Sequence, residues 1–231
     1  MYGGSNPPGT SKRRLCDAFF TMADNYLEKR QEAYMAQSSK LLRRTQNNLR
    51  QLLKKNRSHR GYDAGFIVRA DQLRRIIEVN TLIPSAHNRQ VLRFRPVLCD
   101  EAAKVLPHIR LGGALPDIHL PKQGMEPNAF IVVCSVVPET RNVSIDLGIS
   151  LQSMLLQAVE MGLNGICVGA FDKKAVVREL KLRYEPLIVL AIGRGAEKIE
   201  IVNIKAEDNH SYFRRDGVHY VPKLTVDDLI I

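Results

Sequence analysis

The chain has 231 residues, 45% of them hydrophobic, and its 34 basic and 24 acidic residues give a formal charge of +10. This length suits one α/β or α+β domain, with or without an appendage, and the composition is too apolar for a disordered chain. The longest apolar runs, at 129–134 and 187–192, are far shorter than the roughly 18 residues of a membrane helix. Four cysteines without a C-x-x-C pair exclude a disulfide framework and a zinc ribbon, so we expect reduced thiols.

The positive charge is concentrated near the start of the chain. Residues 1–60 hold 13 of the 34 basic residues and four of the 24 acidic ones, which places about +9 there and about +1 on the remainder. Residues 1–11 are rich in Gly, Pro, Ser and Asn and are expected to be mobile. Residues 11–55 contain neither Gly nor Pro and repeat apolar residues at helical spacing, which predicts one long helix or two consecutive ones. We therefore predict a mobile tail and basic helical extension over 1–54, followed by a domain over 55–231.

Two interpretations of the basic helix stay open. It packs on the body or on a partner subunit with its basic face in water, or it contacts nucleic acid or an acidic membrane. The first is favoured, because the Arg- and Lys-rich half lacks the aromatic side chains that stack on bases. No uninterrupted apolar stretch follows Lys12-Arg13-Arg14, so no signal peptide and a cytoplasmic location are expected.

The segment from Gly61 to residue 128 alternates helical and extended patterns. Asp71 is expected to cap a helix over 72–80, and residues 94–98 are expected to form a strand that Pro96 confines to an edge or a bulge. Residues 100–111 suggest a short helix broken near Pro107. A loop rich in Gly and Pro over 111–128 is long enough to be a lid or a substrate-binding segment.

The second half of the domain predicts more regular elements. Asp146 is expected to cap a strong helix that runs to Met161 and ends at Gly162, and Asp172 is expected to cap a further helix to Leu182. Strands are predicted at 129–137, 166–168, 187–192 and 199–204. The tail from Asn209 is polar and aromatic and has no predicted strand.

Three segments carry candidate chemistry. Arg57-Ser58-His59-Arg60, at the end of the basic helix, offers guanidinium forks and a hydroxyl suited to a phosphate. Pro84-Ser85-Ala86-His87-Asn88-Arg89-Gln90 offers small and amide side chains to a flat polar heterocycle. In the third segment, Gly169 and Ala170 follow a strand and leave backbone N–H groups free to meet developing negative charge.

Other chemistries are not favoured. A dinucleotide-binding reading of Gly193-Arg194-Gly195 fails because the third glycine position holds Lys198 and a strand-like run follows. The six histidines show no metal-ligand spacing, and no G-x-S-x-G hydrolase elbow occurs. We therefore expect no metal site.

Taken in order, the three segments resemble the FMN-dependent nitroreductase family. Arg57-Ser58-His59-Arg60 is similar to the family's first motif, and Pro84 through Gln90 is similar to its Pro-Ser-Ala-x-Asn-x-Gln motif. Its helix and turn motif is matched by Asp146, Gly148, Gln152, Gly162-Leu163-Asn164 and Gly169, and Gly193 to Glu197 resembles its Gly-x-Pro-x-Glu turn. The resemblance covers about residues 55–231. Asn56 stands where many members have a phosphate-contacting arginine, Val91-Leu92 replaces Pro-Trp, and Gly195 replaces a proline.

The resemblance implies an α+β fold, with a mostly antiparallel sheet surrounded by helices, and an intertwined homodimer with two FMN sites at its interface. It implies that FMN meets two groups of residues, one from each subunit. Arg57, Ser58, Arg60 and Lys223 would come from one subunit, and Pro84, Ser85, Ala86 and Asn88 from the other. Gln152, Gly169 and Ala170 would also bind FMN. Arg60 would lie near the flavin N1/O2 edge, the Gly169 and Ala170 N–H groups near N5/O4, and Lys223 at the phosphate.

The implied activity is ping-pong hydride transfer from NADH or NADPH through FMN to a nitroaromatic, quinone, enone or flavin-type acceptor. No side chain is expected to be an obligatory catalytic acid or base, because the flavin N5 carries the chemistry. The alternative is a flavin-binding or interaction protein without turnover that acts through its basic N-terminal helix on a partner or, less favoured, on nucleic acid.

Overall fold

The computed structural model of the protein describes Lys29 and residues 49–111 and 120–231. The elements below all belong to the compact unit Leu49–Ile231. The predicted mobile tail, most of the predicted basic helix and the centre of the 111–128 loop lie outside the described residues. Helix α1, Leu49–Lys55, is the final part of the predicted extension that the structure describes. The division at 54/55 stays a prediction.

A four-stranded antiparallel sheet forms the centre of the unit. Its strands are β1 (Leu92–Val97), β2 (Ala129–Ser135), β3 (Asn164–Val168) and β4 (Glu185–Gly193), in the spatial order β1-β2-β4-β3. The predicted α+β fold with a mostly antiparallel sheet is confirmed. Pro96 lies in the edge strand β1, opposite Ile131, as its missing N–H requires.

The sheet has a hydrophobic core on each face because β2 is buried throughout. Alternate residues of β2 serve the two cores, as the two-residue period of a strand dictates. Phe130 and Val132 pack with Val176 on one face, whereas Ile131 and Val133 pack with the other helices on the opposite face. A strand covered on both sides has no polar face, which explains the unbroken apolar run of the sequence.

Three further helices cover the sheet, and their start points correct two predictions. The helices are α2 (Ala70–Glu78), α3 (Arg141–Glu160) and α4 (Lys173–Leu180). Asp172 caps α4 as predicted, since its carboxylate accepts from the Ala175 N–H at 3.0 Å. The prediction that Asp71 caps α2 is wrong, because Arg69 holds the cap position and Asp71 is an exposed partner of the Arg69 guanidinium.

Asp146 does not cap α3 either. The helix begins six residues earlier, where the Thr140 hydroxyl accepts from the Val143 N–H at 3.4 Å. Asp146 is a buried residue inside the helix. The predicted end of the helix is confirmed, because Gly162 has φ +76° and the Leu163 N–H donates to the Ala158 carbonyl, as a glycine after a helix end allows.

The prediction for residues 100–111 is corrected to two short 3₁₀ turns, Ala102–Lys104 and Leu106–His108. Two further 3₁₀ turns, Val79–Thr81 and Ala86–Asn88, follow α2. Pro107 lies inside the second of the corrected turns, where a proline near the N-terminus loses no hydrogen bond. In the part of the chain that the structure describes, no helix is long and apolar enough to cross a membrane.

A second sheet occupies the region in which only one strand is predicted. It consists of β5 (Lys198–Ile204), β6 (Phe213–Arg215) and β7 (Val218–Leu224), in the order β5-β7-β6, with β5 and β7 parallel. Asp216 and Gly217 join β6 to β7 with φ values of +51° and +75°. An Asp-Gly pair with both φ values positive is a favoured hairpin turn, so the sequence carried a signal for this hairpin.

Candidate functional site

The first motif lies along the exposed edge of β3. Ser58 forms a parallel bridge with Gly165, and the His59 N–H approaches the Gly165 carbonyl at 3.4 Å. Because β3 is an edge strand of its sheet, this bridge extends the sheet by a short irregular segment. The Ser58 side chain stays exposed.

Arg57 closes the end of α1. Its Nε donates to the Asn56 carbonyl at 2.6 Å and its guanidinium to the Leu53 carbonyl at 3.0 Å, which satisfies carbonyls that a helix C-terminus leaves open. Partial burial lowers the pKa of Arg57 from its usual value. A guanidinium has five N–H donors, so Arg57 retains donors for a further acceptor.

Arg60 is buried, and Glu197 fixes its backbone. The Glu197 carboxylate accepts from the Arg60 N–H and from the Gly61 N–H, the latter at 3.1 Å, and it also accepts from the Arg214 guanidinium. The Arg60 side chain is 9% exposed, donates to the Ser58 carbonyl at 3.2 Å and stacks 5.1 Å from the Tyr212 ring centroid. Its Nε has no hydrogen-bond partner among the described residues.

Arg60 belongs to a buried charged cluster, which consists of His59, Arg60, Glu197, Arg214 and His219. Burial alone raises the pKa of Glu197, but the hydrogen bonds from the Arg60 N–H and Arg214 outweigh it and hold that pKa below its usual range. Burial is the main cause that lowers the pKa of both histidines, and the neighbouring arginines lower it further. The two imidazoles are therefore neutral at pH 7, and the charge of the cluster is that of two arginines and one carboxylate.

Tyr212, Arg214 and His219 were not among the predicted site residues, because the polar tail was expected to contain no strand. The turn at Asp216-Gly217 was the signal that could have found them. The cluster also explains why Gly195 stands where the similar turn motif has a proline, since a Cβ at this position would overlap the His59 imidazole. A proline at this position is incompatible with the buried His59.

The second motif is a strained loop held against α3. The Ala86 N–H donates to the Asp146 carboxylate at 2.8 Å, and the Ser85 hydroxyl accepts from the Gln90 N–H at 3.2 Å. His87, Asn88 and Gln90 have φ values of +53°, +53° and +49°, a region that non-glycine residues seldom adopt. Three such residues in four positions need fixed anchors, and Asp146 supplies one.

This loop also borders a cavity of about 510 Å³, which lies between α2, β1 and α3. Pro84 and Ser85 line it. Ser85 and Ala86 are half-buried, whereas Pro84 and Asn88 are exposed. None of these four residues has a polar contact with the first motif among the described residues.

The first and third motifs do meet within one chain. The Asn56 amide donates to the Gln152 carbonyl oxygen on α3 at 3.3 Å. Gly169 and Ala170 follow β3 directly and are exposed, and a Cβ on Gly169 would meet no atom within 4 Å. Ser58 therefore pairs with Gly165 near the start of β3, and Gly169 follows the end of the strand. Gly165 and Gly169 are four residues apart, which is about 13 Å in an extended strand.

Lys223 lies on β7, opposite Asn203 of β5, and is exposed. It stands four residues after His219, and residues an even number apart on a strand share a face. Lys223 is therefore on the same face of β7 as the buried charged cluster, about 13 Å further along the strand.

The described part of the chain shows no metal-binding group, and two of its three thiols stay protonated. No group of three His, Cys, Asp or Glu side chains is suitably placed for a metal ion within residues 49–111 and 120–231. Cys99, Cys134 and Cys167 are free thiols. Burial raises the pKa of both Cys134 and Cys167 to about 11, which keeps them protonated at neutral pH.

Comparisons with known proteins agree with this architecture. Residues 137–194 match the family model described as the Nitroreductase family. A nitroreductase family protein from Streptococcus pneumoniae TIGR4 has 19% identity and a TM-score of 0.54, over 66% of this chain and 93% of that chain. No curated protein matches the sequence.

Two other similar structures have descriptions that name FMN. One is a candidate nitroreductase in complex with FMN from Exiguobacterium sibiricum 255-15, with 19% identity and a TM-score of 0.54 over 66% of this chain and 90% of that chain. The other is a candidate NAD(P)H:FMN oxidoreductase from Staphylococcus epidermidis ATCC 12228, with 18% identity and a TM-score of 0.54 over 66% and 89%. The resemblance to the nitroreductase family is confirmed: the chain has the nitroreductase fold, and its residues 137–194 match that family's model.

Proposed function

We propose that the protein is an FMN-dependent NAD(P)H oxidoreductase that acts as a homodimer on small oxidised acceptors. The observation that carries the proposal is the layout of the β3 edge, with the cationic Arg57–Ser58 segment at one end and the open Gly169–Ala170 turn at the other. An elongated molecule with a phosphate at one end and a flat heterocycle at the other suits such an edge. The description of one similar structure as an FMN complex and of another as an NAD(P)H:FMN oxidoreductase supports this reading.

The residues present fit FMN. Arg57 has donors left over, Ser58 has an exposed hydroxyl and Lys223 is an exposed cation, and these three would hold the phosphate. The unpartnered Arg60 Nε is a buried donor without an acceptor, which a nearby flavin N1/O2 edge would satisfy. The absence of any atom around a Cβ at Gly169 leaves room for a ring against the backbone N–H groups of Gly169 and Ala170.

Bound FMN would supply the hydride chemistry, taking hydride from NADH or NADPH and giving it to the acceptor in a ping-pong sequence. The chain's own contribution is electrostatic and positional. Glu197 holds the Arg60 backbone, so the guanidinium is fixed in a low-dielectric environment where its charge acts strongly. Gln152 joins the first motif to α3 through Asn56.

The second motif would serve the FMN of the partner subunit. Pro84, Ser85, Ala86 and Asn88 have no polar contact with the first motif of their own chain among the described residues, yet Asp146 holds their loop in a strained conformation. A loop that is anchored and strained is pre-organised for a contact. The nitroaromatic, quinone, enone and flavin-type acceptors, and the cytoplasmic location, remain predictions from the sequence.

The decisive experiment compares FMN with riboflavin, which lacks the phosphate. Full-length protein should take up one FMN per chain and show the visible flavin band. Arg57→Gln should weaken FMN binding roughly 10- to 100-fold, the value of a hydrogen bond to a charged group, and leave riboflavin binding unchanged. Lys54→Gln, which removes an exposed charge from the same end of α1, is the matched control.

Three outcomes contradict the proposal. Protein that binds no FMN is one, and an equal loss of FMN and riboflavin binding in Arg57→Gln is another. The third is FMN-loaded protein that reduces no nitroaromatic, quinone or enone with NADH or NADPH. Flavin binding without turnover, together with partner or nucleic-acid binding that is lost on deletion of residues 1–54, would support the alternative based on the basic segment.

A further inference from the structure

A second cavity, of about 410 Å³, opens beside the Gly169–Ala170 turn. Its lining consists of Pro107, His108, Arg110, Ala170, Phe171 and Asp172. Cavities of this size suit small molecules. The cavity therefore adjoins the turn that is proposed to meet the reactive edge of the flavin.

Main-chain hydrogen bonds fix the wall of this cavity. The Arg110 N–H donates to the Ala170 carbonyl at 2.9 Å, and the Asp172 N–H donates to the His108 carbonyl at 2.8 Å. Between these bonds, Ile109 and Phe171 form an antiparallel bridge. The segment around Arg110 is thus registered against the turn by the same pairing as in a sheet.

This pairing decides which side chains face the cavity. Ile109 and Phe171 pack against the hydrophobic core on one side. Arg110 and Ala170 are opposite each other in this pairing, and since successive side chains alternate between faces, both point to the other side. His108, at the end of the preceding 3₁₀ turn, and part of Phe171 complete the lining. A cation and an imidazole therefore stand beside the small Ala170 side chain.

The charge of Arg110 is available to a ligand. Its side chain is exposed and has no ion pair within the described ranges. Asp172 is the acidic residue in the lining, and its carboxylate caps α4 through the Ala175 N–H. Hydrogen bonds from the Ala175 and Lys174 N–H groups hold the pKa of Asp172 below its usual range. The Asp172 charge is thus directed to the helix, and Arg110 has no ion-pair partner within residues 49–111 and 120–231.

We propose that Arg110 makes the protein selective for acceptors that carry an anionic group, such as an aromatic carboxylate. The inference rests on the proposed function, because the acceptor must reach the flavin at the Gly169–Ala170 turn. A planar guanidinium binds a carboxylate through two parallel hydrogen bonds, and His108 offers a further donor in the cavity lining. The aromatic ring of the acceptor would lie over Ala170, whose side chain leaves space for it.

The test compares 4-nitrobenzoate with nitrobenzene, which differ in the carboxylate alone. In the FMN-loaded enzyme, Arg110→Gln should raise KM for 4-nitrobenzoate about tenfold or more, with kcat less affected. KM for nitrobenzene should change less than about twofold, and Arg110→Lys should retain part of the selectivity. Arg183→Gln removes an exposed arginine outside the cavity and should change neither value.

Benzoate binding gives a readout without turnover. Titration of benzoate into the FMN-loaded protein should perturb the flavin spectrum, and Arg110→Gln should weaken its apparent Kd about tenfold. Unchanged benzoate binding, or an equal change for both nitro compounds, overturns the assignment of Arg110. A change confined to KM for NADH or NADPH also overturns this assignment, because Arg110 would then bind the electron donor and not the acceptor. The FMN content and the nitrobenzene turnover of the wild-type protein test the proposed function separately. A wild-type protein that lacks both overturns the proposed function and the assignment of Arg110.

Discussion

Glu197 is the residue on which the geometry of the first motif depends. Three donors converge on its carboxylate, from the backbone of Arg60 and Gly61 and from the side chain of Arg214. Its side chain is 8% exposed, so this charge interacts with its donors at low dielectric. Removal of the Glu197 carboxylate would leave the Arg214 cation unpaired and two N–H groups without acceptors. Breaking a buried ion pair by removing one partner is strongly destabilising.

We expect Glu197→Ala to lower the free energy of unfolding by about 3–5 kcal/mol, measured by urea denaturation. Glu200→Ala is the matched control, because the exposed Glu200 pairs with Lys198 at 3.0 Å and such pairs contribute about 0–1 kcal/mol. The pKa of Glu197 is lowered in the folded protein, so its stabilisation is present above the ordinary glutamate pKa. It is lost as the pH falls through the lowered value. Equal effects of the two substitutions would show that Glu197 is not a structural anchor.

Sequence patterns identify site residues when the chemically active side chains belong to one short motif of the chain. Arg57, Ser58 and Gly169 occur in motifs whose members are close in the chain, and the structure places them along one strand edge. Arg214 and His219 lie opposite each other in the β6–β7 hairpin, and the pairing of β7 with the distant strand β5 brings this hairpin to Glu197. No local pattern shows that a distant arginine will neutralise Glu197, so this part of the site was not predictable residue by residue.

At the scale of single elements, three aspartates had the sequence position of a helix cap, and Asp172 is the one that caps. Asp71 is an exposed ion-pair partner, and Asp146 anchors the second motif from inside α3. The strands covered on both faces were predictable because a buried strand is apolar throughout. In the second sheet β5 was predictable, but β6 and β7 were not, because β6 has only three residues and both strands are mostly half-exposed or exposed, which leaves turn chemistry as their main signal.

We expect Asp172→Ala to lower the free energy of unfolding by about 1 kcal/mol, because α4 would lose the acceptor for the Ala175 N–H. Asp71→Ala should change it by less than about 0.5 kcal/mol, since this aspartate is exposed and does not cap. Chemical denaturation of the two variants in parallel measures both values. A loss for Asp71→Ala as large as that for Asp172→Ala would mean that the assigned helix start is wrong.

At the scale of the whole molecule, two exposed apolar side chains adjoin the second motif. Leu82 is 84% exposed directly before the Pro84–Asn88 loop, and Ile145 is 50% exposed on α3, next to the Asp146 that anchors this loop. Large apolar side chains exposed on both sides of a loop that a partner is proposed to meet favour a protein contact there. This placement supports the proposed homodimer, in which the same loop reaches the FMN of the partner.

The double variant Leu82→Asp/Ile145→Asp should therefore convert a dimer into monomers, because a second copy cannot bury two carboxylates without partners. Size-exclusion chromatography with light scattering measures the mass. FMN affinity should fall at the same time, since each proposed site draws Pro84, Ser85, Ala86 and Asn88 from the other chain. Ile201→Asp, at a 41% exposed position on β5, is the control and should leave both properties unchanged. A folded monomer that binds FMN as tightly as the wild type would show that one chain completes the site, and the shared-site arrangement would then be wrong.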